Sequence, residues 1–183
     1  MTPSRSNPQI VLRPQDLVVL LRLSLDGAHG VPRTYAELAA QLGLTASEIH
    51  AAIKRAVAAQ LVRRTARSVH VVNLKALSMF IQHGAPYCFP ATHGPATRGM
   101  PTSHAAPPLQ GLISQSKDPV PVWPHKSGTV RGVALYPLYP SVPDAAARNP
   151  ALYELLSLFD AIRSGSPRDR ALGVEQLVQR LSA

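Results

Sequence analysis

The sequence predicts a mainly α-helical protein with a small β content, of the α+β class. Several segments place apolar residues at helical spacing, two short valine-containing runs follow the third of these segments, and 13 of the 18 prolines lie within residues 84–150. Four parts follow from this pattern: a flexible arm at 1–13, a compact unit at 14–73, a connecting helix and proline-rich ordered segment with one or two strands at 74–148, and a C-terminal helical hairpin at 149–183.

The first predicted helix begins at Pro14, which is tolerated in a first turn, and ends near Gly27. Its leucines recur near helical spacing, at Leu17, Leu20, Leu21 and Leu25. This spacing predicts an apolar side that packs on the rest of the compact unit.

Two capping boxes predict two more helices directly after the first one. Thr34 with Glu37, and Thr45 with Glu48, have the spacing at which both side chains satisfy free backbone N–H groups. Gly43 lies between them and can adopt the left-handed conformation that ends a helix, so the two helices must cross. The inward stripe of the third helix is formed by Ile49, Ala52, Ile53, Ala56 and Val57.

A short β-hairpin is predicted after the third helix. The runs LVRR and SVHVVN alternate and contain enough valine to form two strands, joined by Thr65, Ala66 and Arg67. Three helices followed by a hairpin, with Ala39, Gly43 and a buried aliphatic residue at position 49, resemble the winged helix-turn-helix transcriptional regulators of bacteria, of the broad MarR type. The resemblance covers residues 14–73 only, and we recognise no family in the C-terminal half.

The resemblance implies a sequence-specific regulator, either a repressor or an autoregulator, that binds double-stranded DNA as a homodimer. In such proteins the third helix enters the major groove, so its outward face would contact bases through Ser47, His50 and Ala51. Lys54 would contact phosphate, and Arg55 would lie at the edge of this face. The other implied contacts come from the starts of the second and third helices and from the hairpin: Thr34, Tyr35, Thr45, Arg63, Arg64 and Arg67.

The charge of the chain agrees with a polyanionic partner. The 183 residues contain 19 Lys and Arg against 10 Asp and Glu, which gives a formal net charge of +9. Residues 1–75 carry +6 of this excess, and the remainder carries +3. We therefore expect nucleic acid as the partner before a membrane surface, with the binding surface in the first half.

Other protein classes fit the composition poorly. With 45% hydrophobic residues the chain is too apolar to be wholly disordered. Its most apolar run, residues 17–25, is too short for a membrane span and is interrupted by Arg22, so we expect no membrane partner. The start lacks a signal-peptide pattern, and the single cysteine, Cys88, cannot form an internal disulfide, which together predict a cytoplasmic protein.

The middle segment leaves several functions open. One hypothesis is an anion or effector pocket, because glycine lets a ligand approach backbone N–H groups and arginine supplies charge; its residues are Thr97, Arg98, Gly99 and Thr102. A metal site is a second, although its ligands match no known spacing: His83, Cys88, His93 and His104. A nucleophilic enzyme built on Ser103 and His104, or on Cys88, is a third, and it lacks an acid to orient the histidine. We expect no cofactor, no metal and no enzymatic activity, and a mainly structural role.

The C-terminal helices have one apolar face to cover. Asn149 and Pro150 begin the first, Gly165 ends it, and Ser166 and Pro167 begin the second. This hairpin could pack on its own N-terminal unit, on a second subunit or on a different protein. The last case gives an alternative function, an antitoxin-like regulator whose C-terminal half binds and neutralises a partner enzyme.

Overall fold

The computed structural model describes residues 9–65, 69–112 and 119–182. Within these ranges the protein has a mixed α/β fold that is mostly helical, which confirms the predicted class. The described residues contain eight α-helices: α1 (Pro14–Ser24), α2 (Tyr35–Leu42), α3 (Ala46–Ala58), α4 (Leu74–His83), α5 (Ala85–Cys88), α6 (Val142–Arg148), α7 (Pro150–Ser164) and α8 (Pro167–Ser182). They also contain five strands: β1 (Val62–Arg64), β2 (His70–Val72), β3 (His93–Pro101), β4 (Pro121–Pro124) and β5 (Val130–Leu135). None of these helices is both long enough and apolar enough to cross a membrane.

Local hydrogen bonds fix the starts of α2 and α3, as the capping boxes predict. The Thr34 hydroxyl accepts from the Glu37 N–H at 3.1 Å, and the Glu37 carboxylate accepts from the Thr34 N–H at 2.7 Å. Thr45 and Glu48 repeat this arrangement at 3.2 and 2.7 Å. Between the helices, Gly43 has a φ of 65°, which is the left-handed conformation predicted for it.

Helix α1 lies at the centre of the N-terminal part. Every residue from Asp16 to Ser24 is buried, because α2, α3, β2 and α7 all pack around this helix. Leu25 is exposed, contrary to the predicted stripe, because the helix ends one residue before it. The strands β1 and β2 pair antiparallel, with Val62 opposite Val72 and Arg64 opposite His70. Arg67 lies outside the described residues.

The prediction of one or two strands in the middle segment is wrong, because three are present in its described part. Strand β3 pairs antiparallel with both β4 and β5, and β4 pairs parallel with β5, so the three strands close into a small barrel. Glycines allow this closure. A Cβ atom at Gly99 would lie 2.0 Å from the Trp123 carbonyl oxygen, and one at Gly132 would lie 2.0 Å from that of Val120.

The C-terminal hairpin packs on its own chain. Residues Leu155 to Ile162 of α7 are all buried, and α7 contacts α1, α6 and α8. The hydrophobic core is one cluster that extends from Leu17 in α1 to Leu181 in α8. Packing of α7 on α1 covers part of the apolar face with the chain's own N-terminal part, which is one of the three occupants left open.

Candidate nucleic-acid interface

Helix α3 presents a polar face to the outside. Ser47, His50 and Lys54 are exposed and Ala51 is half-buried. On the opposite side, the aliphatic residues pack into the core: Ile49, Ala52, Ile53 and Ala56. Val57 was predicted to belong to this stripe, but this residue is 42% exposed and lies outside it. Burial of this apolar stripe sets the rotation of α3, and the capping box at Thr45 fixes the residue at which the helix begins.

Three elements meet at this face through aromatic rings. The ring of Tyr35, the first residue of α2, lies 5.5 Å from the ring of His50 on α3. It lies 5.9 Å from the ring of His70 on β2. The start of α2, the exposed side of α3 and the hairpin therefore form one continuous surface, which we call the α3 face. His70 is not among the residues predicted from the sequence, because its contact with Tyr35 joins residues far apart in the chain and no local pattern marks it.

The electrostatics of the α3 face favour a neutral His70. Burial lowers the pKa of this imidazole, and the charges of Arg64 and His50 lower it further. Arg63 is exposed on β1, and Lys54 is exposed on α3 without a charged partner within the described residues. Arg64 is exposed as well, and alternation along β1 turns it to the side opposite Arg63.

The threonines at the helix starts have structural tasks. Both hydroxyls accept backbone hydrogen bonds in their capping boxes, and Thr45 also donates to Glu48 at 2.8 Å. The backbone hydrogen bond from Thr34 lowers the pKa of Glu37, and that from Thr45 lowers the pKa of Glu48. Thr34, predicted to contact phosphate, and Thr45, predicted to contact DNA, therefore each lie beside a charged carboxylate.

Arg55, expected at the edge of this face, forms an ion pair with α1 instead of facing solvent. Its guanidinium donates from Nε to Oδ2 and from Nη2 to Oδ1 of Asp16, both at 2.6 Å. Asp16 is 1% exposed and also accepts from the Arg13 N–H at 2.9 Å. Arg55 thus fastens α3 to α1, because a buried carboxylate needs charged and hydrogen-bonded partners.

The turn between α2 and α3 is supported from the C-terminal half. The Tyr139 hydroxyl donates to Glu48 at 3.2 Å, and Arg148 on α6 donates to the carbonyl of Gln41 at 3.2 Å. The Cβ position of Gly43 lies 3.1 Å from Cβ of Ser141. None of these contacts involves Ser47, His50 or Lys54, which stay exposed.

The predicted anion pocket is not formed by its four residues. Thr102 is fully buried and donates to Asp160 at 2.7 Å. Gly99 is enclosed in the barrel, where its neighbours occupy the space a ligand would need. Thr97 and Arg98 are successive residues of β3 and point to opposite faces. Of the four, only Arg98 is exposed.

The Asp160 carboxylate has a structural role, because both of its oxygens accept hydrogen bonds from side chains. Besides Thr102, it accepts from Nε1 of the buried Trp123 and from Nε of Arg163 at 2.8 Å. Nearby, the Tyr153 hydroxyl donates to the Pro101 carbonyl at 2.7 Å, and burial raises the pKa of Tyr153 to about 12. This network joins α7 to the barrel.

The histidine-rich middle segment does not assemble a metal site. Within residues 9–65, 69–112 and 119–182, no group of three or more His, Cys, Asp or Glu converges, and Cys88 is exposed. Ser103 has a φ of 54° and is 2% exposed. It borders a cavity of about 230 Å³ whose wall includes His93, His104 and Asp169. No hydrogen bond among the described residues joins Ser103 to either histidine.

Comparison with known proteins adds no relationship: no protein-family model, no curated protein and no solved structure matches the chain. The resemblance of residues 14–73 to winged-helix regulators therefore stays a prediction, and the function must be argued from the surface itself.

Proposed function

We propose that the protein is a winged helix-turn-helix transcriptional regulator that binds double-stranded DNA in a sequence-specific manner. Helix α3 enters the major groove, and the β1–β2 hairpin acts as the wing beside it. Ser47, His50 and Ala51 contact base edges, while Lys54 and Arg63 contact phosphates.

The ring contacts of Tyr35 with His50 and His70 are the observation that carries this proposal. They bring the start of α2, the polar face of α3 and the hairpin to one surface, which is the combination that a major-groove reader requires. Ser47, His50 and Lys54 remain exposed on that surface, and an α-helix with a free polar face fits the width of the major groove.

The formal charge of +9 supports the same partner. Arg22, Arg33, Arg55 and Arg163 are held in internal ion pairs, whereas Lys54 is exposed on α3 and Arg63 is exposed on the hairpin. Exposed cations attract the phosphate backbone and make binding fall steeply with salt.

Selection of bound fragments from a genomic DNA library tests the proposal. The full chain is incubated with sheared double-stranded DNA, and the retained fragments are sequenced. We expect one enriched motif, and its two-fold symmetry would support a homodimer that presents two α3 helices. Retention of fragments without any shared motif, or no retention at low salt, would contradict sequence-specific binding.

A regulator that also binds a partner protein is the second candidate. The observation that favours it is a groove of about 370 Å³ between α4 and α8, which is lined by Leu74, Met79, Val178 and Leu181. Met79 is 53% exposed in this groove. Removal of the C-terminal half is a poor test, because α7 forms part of the common core. Met79→Glu is better: loss of a co-purifying polypeptide, with DNA binding retained, supports this candidate.

A further inference from the structure

Two arginines lie directly opposite each other on the barrel. Strands β3 and β5 pair antiparallel, and Arg98 is the partner of Arg131 in their register. Opposed residues of an antiparallel pair project from the same face, with Cβ atoms about 5 Å apart. Both side chains are exposed, so two guanidinium groups stand side by side on the outside of the barrel.

This arrangement is unfavourable in the protein alone. Like charges directly opposite each other destabilise a strand pair. Neither arginine has an ion-pair partner within the described ranges. Three acidic residues of the described C-terminal half pair elsewhere: Asp144 with His125, Glu154 with Arg180, and Asp160 with Arg163. A bound anion would remove the repulsion between Arg98 and Arg131.

A third cation lies at the same end of the barrel. The Gly128 N–H donates to the His125 carbonyl at 2.9 Å, which closes a tight turn that carries the exposed Lys126. A Cβ atom at Gly128 would lie 2.3 Å from Cα of Gly99, so the turn rests directly on the residue after Arg98. We call Arg98, Arg131 and Lys126 the barrel cation cluster.

We propose that the barrel cation cluster binds the phosphate backbone of duplex DNA next to the sequence that α3 contacts. This inference rests on the proposed function and adds a second contact to it. Arginine forks match the oxygens of a phosphate, and adjacent guanidinium groups can bridge one phosphodiester or two successive ones.

Contacts through α6 connect the barrel cation cluster to the α2–α3 turn, at a distance that one DNA molecule can span. His125 in the turn contacts Asp144 on α6 at 3.1 Å, and Arg148 on α6 contacts Gln41 at the end of α2. Helix α6 has seven residues and is about 10 Å long. The cluster is thus held at a short, fixed distance from the α2–α3 turn, within the roughly 34 Å of one DNA turn.

The surroundings favour duplex DNA over an acidic protein. Protein interfaces centre on buried aromatic or aliphatic anchors. Among the described residues, none of the large exposed apolar side chains belongs to β3, β4, β5 or the turn at 125–128. Single-stranded nucleic acid is bound through stacking aromatic rings. Tyr136, the exposed ring nearest in sequence, follows the far end of β5, where Leu135 pairs with His93.

The test uses the double variant Arg98→Gln/Arg131→Gln and the motif selected by the wild-type protein. Binding is measured by fluorescence anisotropy on a duplex of about 30 base pairs and on one of about 12, roughly the length of one turn. On the long duplex, we expect the salt slope to fall by about 1.8, because two phosphate contacts are lost. A fourfold rise in salt should then weaken the wild type roughly tenfold more than the variant. Preference among sequences should not change.

Two controls separate this effect from general charge and from misfolding. Arg168→Gln/Arg170→Gln removes the same charge from exposed positions on α8 and should leave the slope nearly unchanged. Arg98→Glu creates a cross-strand ion pair with Arg131, so its Tm at low salt should exceed that of the wild type while long-duplex binding weakens.

The outcomes distinguish the two proposals. If the wild type binds no DNA, the proposed function fails. If the wild type binds and Lys54→Ala weakens it, yet the double variant keeps the wild-type slope, the barrel contact is refuted and the proposed function stands. Loss of poly-glutamate binding in the double variant, with DNA binding unchanged, would refute the barrel contact in favour of an acidic protein.

Discussion

The guanidinium of Arg55 on α3 and the carboxylate of Asp16 on α1 form a two-point ion pair with both N–O distances at 2.6 Å. Asp16 is almost fully buried, so Arg55 replaces the water that would otherwise contact its carboxylate. Because of this ion pair, the neighbouring cations Arg55 and Lys54 have different roles. Arg55 orients α3 on the core, whereas Lys54, one residue earlier, remains on the exposed side of the helix.

We predict that Arg55→Ala destabilises the protein by about 3 kcal/mol, because it leaves a buried carboxylate unpaired. Urea unfolding followed by circular dichroism measures this change. Arg55→Lys keeps the charge without the two-point geometry, so it should lose less stability than Arg55→Ala. An unchanged free energy of unfolding in Arg55→Ala would show that the ion pair is not needed to hold α3.

Lys54→Ala should leave stability unchanged and weaken DNA binding. One phosphate contact is lost, so the slope of log affinity against log salt should fall by about 0.9. Anisotropy titrations at several salt concentrations measure the slope. Lys75→Ala is the matched control, because Lys75 is an exposed lysine on α4, outside the α3 face. Equal effects of the two substitutions would indicate binding by net charge alone.

His50→Ala should change sequence preference more than affinity. A side chain that contacts a base edge contributes about 1–3 kcal/mol of discrimination at one base pair. Repeating the fragment selection with this variant should relax one position of the motif. Binding to unrelated DNA should stay the same, since that term comes from phosphates. A motif identical to that of the wild type would remove His50 from the base contacts.

Local features of the fold could be predicted from sequence, and distant partnerships could not. The boxes at Thr34 and Thr45 involve residues three positions apart, so their spacing alone specifies the helix starts. Strand β3 was not predicted, because its sequence HGPATRGMP contains two prolines and no apolar alternation. Its pairing depends on glycines such as Gly132, which sequence alone cannot distinguish from turn glycines.

The same limit applies to the candidate sites. The exposed side of helix α3 could be predicted, because helical periodicity assigns each residue of one helix to a side. Arg55 was expected at the edge of that face, and its ion pair was missed because the partner, Asp16, lies 39 residues earlier. Arg98 was assigned to a loop pocket with its neighbours, whereas its cross-strand partner is Arg131. Pairings of this kind require the register of the strands.

Gly43→Ala should destabilise the protein by more than about 1–2 kcal/mol, the cost of a left-handed residue with a side chain. Gly43 has a φ of 65°, and a Cβ atom there would also press on Ser141 at 3.1 Å. Gly27→Ala is the matched control, because its φ is 74° and no atom lies within 4 Å of its Cβ position. Urea unfolding compares them. Equal losses in the free energy of unfolding would mean that Ser141 moves aside without a free-energy cost.

The half-buried imidazole of His70 should make stability depend on pH. Burial, Arg64 and His50 lower its pKa in the folded protein, whereas the unfolded chain keeps a value near 6.5. The unfolded chain therefore takes up the proton first as pH falls, so the free energy of unfolding should decrease from about pH 7 toward pH 5. His70→Gln should remove part of this decrease in urea unfolding at each pH. The exposed His83→Gln should leave it intact, and a His70→Gln profile parallel to that of the wild type would rule out the linkage.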